Sequence, residues 1–133
     1  MTTIANIAQR ILDENGYAVT DFSGLTLTIL EYKIDDAITW LNQTAGLSVA
    51  ALSGTAGSKS LVGTDGQNLI VKWLSNAMLR AYKEKGEQAG VGSINVSVVV
   101  NDKDSEITKL ILKMAERLKS PPIYIANDPV TTE

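Results

Sequence analysis

The segment TDGQNLIVKWLSNAMLRAYKEKG, residues 64–86, carries the clearest structural signal in the chain. Its apolar residues recur every three or four positions, which is typical of one buried face of an α-helix. Thr64 and Gln67 have the spacing of a capping box, in which two side chains satisfy free backbone N–H groups at a helix start. The sequence therefore predicts a long helix ending near Gly86, with this stripe: Leu69, Ile70, Trp73, Leu74, Ala77, Met78 and Tyr82.

Three more segments show helical spacing. The predicted helices cover 3–15, 25–45 and 105–119, and Gly16, Gly46 and Pro121 stand where they would end. Residues 25–30, LTLTIL, alternate as a strand would, but their spacing continues into the following helical stripe, which favours a helix. The stripe of the last helix comprises Ile107, Leu110, Ile111, Met114 and Leu118.

Residues 46–63 form a connection rich in Gly, Ser and Ala, with room for one helical turn at 48–52. Connections of this length often belong to a functional loop or to an interface.

Residues 93–100, SINVSVVV, alternate in polarity and predict a strand with one buried face. No hairpin partner follows, and 47–52 and 59–62 are weak internal partners. An unpaired strand edge is a liability unless it is covered or paired. We therefore expect another chain to complete this strand, wholly or in part, although internal pairing stays open.

Together these elements predict a mainly α fold: a small helical domain of about four helices, with a short β-element before the C-terminal helix. Residues 1–120 form the single domain, because 133 residues fit one core. Residues 121–133 form an extended tail with an apolar cluster at Ile123, Tyr124 and Ile125.

The chain contains no histidine and no cysteine, which removes the commonest general base, the commonest metal ligands and thiolate nucleophiles. Glu31, Asp35 and Asp36 form an acidic cluster, but on one helix, so we interpret it as a solvated face. Trp40 and Trp73 are expected to anchor the core. The sequence thus favours a protein that is not an enzyme, with no cofactor and no metal. It has no apolar run long enough for a membrane span and no recognisable leader, so we expect a cytosolic protein.

Charge is unevenly distributed along the chain. Residues 103–119 carry five basic and three acidic residues, so this segment is +2 within a chain of net charge −3, and the remainder is −5. The negative total argues against a freestanding nucleic-acid-binding protein. A basic helix on an acidic body indicates either a docking element or an ordinary solvated face.

The order of these elements resembles a known family. The chain has two amphipathic helical segments, IDDAITWLNQTAG at 34–46 and LIVKWLSNAMLRAYKEKG at 69–86, followed by a glycine-rich step, the strand at 93–100 and a basic last helix. This order is similar to that of the head-to-tail connector proteins of tailed phages, also called head-completion or adaptor proteins. The resemblance covers about residues 27–119 and lies in pattern and loop placement.

The resemblance implies a structural virion protein that assembles with its own copies into a ring, commonly a dodecamer, in the virion neck after assembly in the host cytoplasm. Its partners would be the portal protein and a downstream tail or stopper protein, with DNA passing through the channel without sequence-specific binding. The alternative is a cellular all-α protein-protein interaction module of unknown partner. Candidate partner-binding or subunit-binding residues are Ile94, Val96, Val98, Val100, Lys109, Lys113, Arg117, Ile123, Tyr124 and Ile125.

Overall fold

The computed structural model describes residues 3–22, 24–85 and 106–119. These residues form four α-helices, α1 (Ile7–Glu14), α2 (Leu27–Ala45), α3 (Asp65–Lys85) and α4 (Glu106–Lys119), and one 3-10 turn (Val19–Asp21). The described part has two isolated β-bridges and no sheet. The prediction of a small, mainly α fold is confirmed. The predicted strand at 93–100 and the tail at 121–133 lie outside the described residues, so both stay predictions.

Side-chain caps begin the two long helices. At α3, the Thr64 N–H donates to Gln67 Oε1 at 3.1 Å and the Gln67 N–H donates to Thr64 Oγ1 at 3.3 Å, which is the predicted capping box. At α2, Thr26 Oγ1 accepts from the Ile29 N–H at 3.1 Å. Gly46 ends α2 in the left-handed region at φ 73°, where glycine has no steric cost. The capping box of α3 and the Gly46 stop of α2 are confirmed, whereas α2 begins two residues later than the predicted residue 25, at its Thr26 cap.

The first helix begins later than the sequence predicts. Residue Asn6 has φ 50°, and a right-handed helix cannot continue through that conformation. Ile4 instead exchanges backbone hydrogen bonds with Leu61, at 2.8 and 3.0 Å, and the Ile7 N–H donates to the Lys59 carbonyl at 3.0 Å. The start of the chain is therefore paired with the end of the 46–63 connection. That connection contains no helical turn at 48–52, so this prediction was wrong.

The core lies among all four helices. Helix α2 packs on α1 and α3, and α4 packs on α3 and α2. Trp40 and Trp73 are only partly buried at the margin of the core, whereas smaller aliphatic side chains fill its centre. The largest fully buried side chains are Phe22, Ile7, Ile11, Leu12, Leu30, Ile34, Leu41, Leu61, Ile70, Leu74, Met78 and Leu79.

Helix α4 makes a close contact at the beginning of α3. A Cβ placed on Gly66 would overlap Leu118 Cδ2, so the missing side chain at residue 66 lets the end of α4 approach. The start of α3 therefore meets the end of α4. Thr108, Ile111 and Ala115 are the buried side chains in the described part of α4.

Candidate interaction surface

The 46–63 connection is held on one side of α2 by side chains that bond its backbone. Asn42 accepts from the Val49 N–H at 2.8 Å and donates to the Val49 carbonyl at 2.9 Å. Asp35 Oδ1 accepts from the Leu52 N–H at 3.0 Å. As the chain advances from residue 49 to 52, its partner on α2 moves back from 42 to 35. The connection thus runs along α2 in the opposite direction.

Glu31, near the start of α2, is the third α2 side chain that bonds the backbone of the connection. Its side chain is buried, and its carboxylate accepts from the Gly57 N–H at 2.8 Å and from the Lys59 N–H at 2.9 Å. A buried carboxylate needs such donors, because a charge without partners is costly away from water. The interpretation of the acidic cluster as a solvated face was therefore wrong for Glu31 and Asp35, and correct for the exposed Asp36.

The three basic candidates of α4 are exposed on one side of the helix. Lys109, Lys113 and Arg117 follow one another at four-residue spacing, so neighbouring members lie about 6 Å apart along the axis. The ion pairs found within the described residues join Glu14 to Arg10 and to Lys72, and none involves this basic stripe. The stripe therefore presents its charge to solvent.

Leucines are exposed next to these charges. Leu110 is 46% exposed and Leu118 is 38% exposed, although the sequence predicts both within the apolar stripe of α4. Leu69 on α3, also predicted as apolar stripe, is 60% exposed. Leu69 lies one turn after Gly66, the residue that Leu118 contacts, so these two leucines belong to the same end of the α3 and α4 pair.

A shallow depression of about 300 Å³ lies beside α4. Its lining residues are Glu106, Lys109, Leu110 and Lys113. We call the surface formed by Lys109, Leu110, Lys113 and Arg117 the α4 face. It combines a half-exposed leucine with three basic side chains along one side of it, and Glu106 adds one acidic group to the depression. Such a mixed surface suits a protein partner with an apolar anchor and an acidic neighbour.

One further exposed apolar side chain lies on α2. Tyr32 is 59% exposed, and the exposed Asp36 follows one turn later on the same side of the helix. A single tyrosine in a helical segment gives no signal of its exposure, so the sequence does not predict Tyr32 as a surface residue. Asp36 was predicted to be exposed only as part of the acidic cluster.

The other candidate residues, Ile94, Val96, Val98, Val100, Ile123, Tyr124 and Ile125, lie outside the described residues. Within the described ranges, no group of three or more acidic side chains is arranged to hold a metal ion. The helices of that same part are too short or too polar to cross a membrane. Comparison with protein-family models, curated proteins and solved structures gives no significant match to this chain.

Proposed function

We propose that this protein is a structural assembly component, a ring-forming head-to-tail connector that joins a portal to a tail around a DNA channel. The observation that carries the proposal is the α4 face, where exposed leucine and basic side chains lie together on one helix. Apolar side chains exposed beside charges are typical of surfaces that bind other proteins.

The order of elements adds support from the sequence. Two long helices, α2 and α3, precede a Ser/Val segment and a basic last helix, in the order that connector proteins use. In such an assembly, the segment 93–100 would add its edge to another chain, and α4 would contact a neighbouring copy or the portal. Both interactions use surface from the C-terminal third of the chain, which leaves the α1 to α3 core as the support.

The direct experiment is coexpression with the portal protein encoded by the same genome, followed by negative-stain electron microscopy. We expect closed rings of one stoichiometry, either free or seated on one end of the portal. Because assembly of the ring can require the portal, the protein is imaged with and without it.

A chain that stays monomeric in both preparations, and does not bind the portal, would contradict the proposal. A genome that encodes no portal and capsid proteins would contradict it too, and would favour the cellular interaction module. Turnover in a hydrolase or transferase screen that disappears in an Asp35→Asn or Lys59→Met variant would instead indicate an enzyme.

A further inference from the structure

The exposed large apolar side chains of the described residues fall into two groups of opposite charge. Leu69, Leu110 and Leu118 lie on α3 and α4, where Lys109, Lys113 and Arg117 run along one side of Leu110. Tyr32 lies on α2, where Asp36 is its exposed charged neighbour one turn away. The two surfaces therefore differ in the sign of their charge and share an apolar centre.

Asp36 is the member of the acidic cluster that remains available to a partner. Glu31 and Asp35 already accept hydrogen bonds from the connection, through Gly57, Lys59 and Leu52. Asp36 is exposed, and no ion pair found within the described residues includes it. Its carboxylate is thus free to meet a basic side chain from outside.

The two residue pairs that would meet have the same spacing along their helices. Tyr32 and Asp36 are four residues apart on α2, and Lys109 and Lys113 are four residues apart on α4, so each pair spans about 6 Å along its helix. The depression beside Leu110 offers about 300 Å³ for an incoming side chain. A tyrosine ring placed there would contact Leu110 and lie within reach of a lysine ammonium, which favours aromatic faces.

The charge of the whole chain favours a second copy as the occupant. Residues 103–119 are +2 and the remainder is −5, so a basic helix of one copy and the body of another attract. Pairing two α4 faces with each other would instead oppose like charges. A contact between two different surfaces of the same chain is heterologous, and such contacts build rings when the rotation closes.

We infer that the α4 face of one copy binds Tyr32 and Asp36 of the next copy, with the tyrosine ring in the depression beside Leu110 and the Asp36 carboxylate paired with Lys113. This inference rests on the proposed self-assembly and names its contact. A carbodiimide joins a carboxylate to a lysine amine only where the two groups are in direct contact, so it reports on this pair without changing either residue.

The test mixes ¹⁵N-labelled and unlabelled natural chain, treats the mixture with a carbodiimide and maps the joined peptides by mass spectrometry. A mixed-isotope peptide that joins Asp36 to Lys113 reports a contact between two copies. The Glu14–Lys72 pair, 2.8 Å apart within one copy, is the positive control, because its joined peptides carry a single isotope. We expect severalfold more mixed-isotope joining of Lys113 to Asp36 than to Asp13, another exposed aspartate.

Equal mixed-isotope joining of Lys113 to Asp36 and to Asp13 would overturn the inference. Rings seen by microscopy without this specific cross-link would leave the connector proposal standing and remove the named contact. A specific cross-link without rings, alone or on the portal, would support the contact and contradict the connector function. Joining of Lys113 to Glu106 of another copy in place of Asp36 would assign the α4 face to a contact with itself and overturn the head-to-tail contact.

Discussion

The 46–63 connection and helix α4 differ in how far the rest of the folded chain satisfies them. The connection has no regular structure, yet its backbone is held by Asn42, Asp35 and Glu31 from α2 and by bridges to Ile4 and within itself. Helix α4 is regular, and it leaves Leu110 and three basic side chains in solvent. Regular secondary structure is therefore a poor guide to which region is internally satisfied. In this chain the irregular segment belongs to the folded body, and the regular helix presents a surface for a partner.

The largest expected effect is the difference in the free energy of unfolding between a leucine variant in the core and one on the α4 face. Leu74 is fully buried on α3, so Leu74→Ala should lower the free energy of unfolding by about 2–5 kcal/mol. Leu110→Ala removes a leucine side chain that is 46% exposed, and should lower the free energy of unfolding by only about 1 kcal/mol. Urea unfolding followed by circular dichroism measures both. Similar losses in the two variants would show that Leu110 is covered in the monomer.

The next effect tests the attachment of the connection. Glu31→Ala leaves the N–H groups of Gly57 and Lys59 without their acceptor. Because both residues are half-buried and water can replace part of the loss, the free energy of unfolding should fall by about 2–4 kcal/mol, less than twice the roughly 1–3 kcal/mol for a fully buried unpaired group. Glu31→Gln keeps one acceptor oxygen and should lose less.

The matched control for Glu31 is Asp36→Asn on the same helix. Asp36 is exposed, so this change should alter stability by no more than about 0.5 kcal/mol. Equal losses at Glu31 and Asp36 would contradict the assignment of one carboxylate to the connection and the other to solvent.

The smallest effect concerns the junction between α3 and α4. Gly66→Ala gains helix propensity of up to about 1 kcal/mol, but its Cβ displaces Leu118, whose side chain has room to move because it is partly exposed. We expect a net change in the free energy of unfolding below about 1 kcal/mol.

A double-mutant cycle isolates that contact. In a Leu118→Ala background the obstruction is gone, so Gly66→Ala should be more stabilising there than in the natural chain. The same effect of Gly66→Ala in both backgrounds would show that α4 does not meet α3 at residue 66.

Local signals in the sequence predicted four helices, the capping box of α3 and the glycine stop of α2, but not the Thr26 cap or the later start of α1. The Thr64 and Gln67 capping box and the Gly46 stop act within a few residues, so spacing alone reveals them. The roles of Glu31 and Asp35 were missed, because their partners lie 17 to 28 residues away, and nothing in the acidic cluster indicates which carboxylate faces the connection.

The residues of the α4 face were also predicted only in part, because local spacing reveals a helix face but not what packs against it. The basic spacing of Lys109, Lys113 and Arg117 marks one side of a helix, and the structure places all three in solvent. The apolar stripe also predicted burial of Leu69, Leu110 and Leu118, which are exposed. Periodicity shows that a helix has an apolar side, but the width of the buried strip depends on the neighbouring helices, and no local pattern encodes that.

Sedimentation velocity on a charge-reversal set tests the central claim, that copies of this chain associate through the α4 face, most directly. The set comprises the natural chain, Lys113→Glu, Asp36→Lys and the double variant, each compared at low and high salt. Each protein is run alone and with the portal protein. We predict that the natural chain associates with its own copies in at least one of the two preparations, that each single reversal abolishes this association, that the double variant restores it, and that added salt weakens it. Identical sedimentation of all four proteins in both preparations, or a double variant as dissociated as the single ones, would contradict the account.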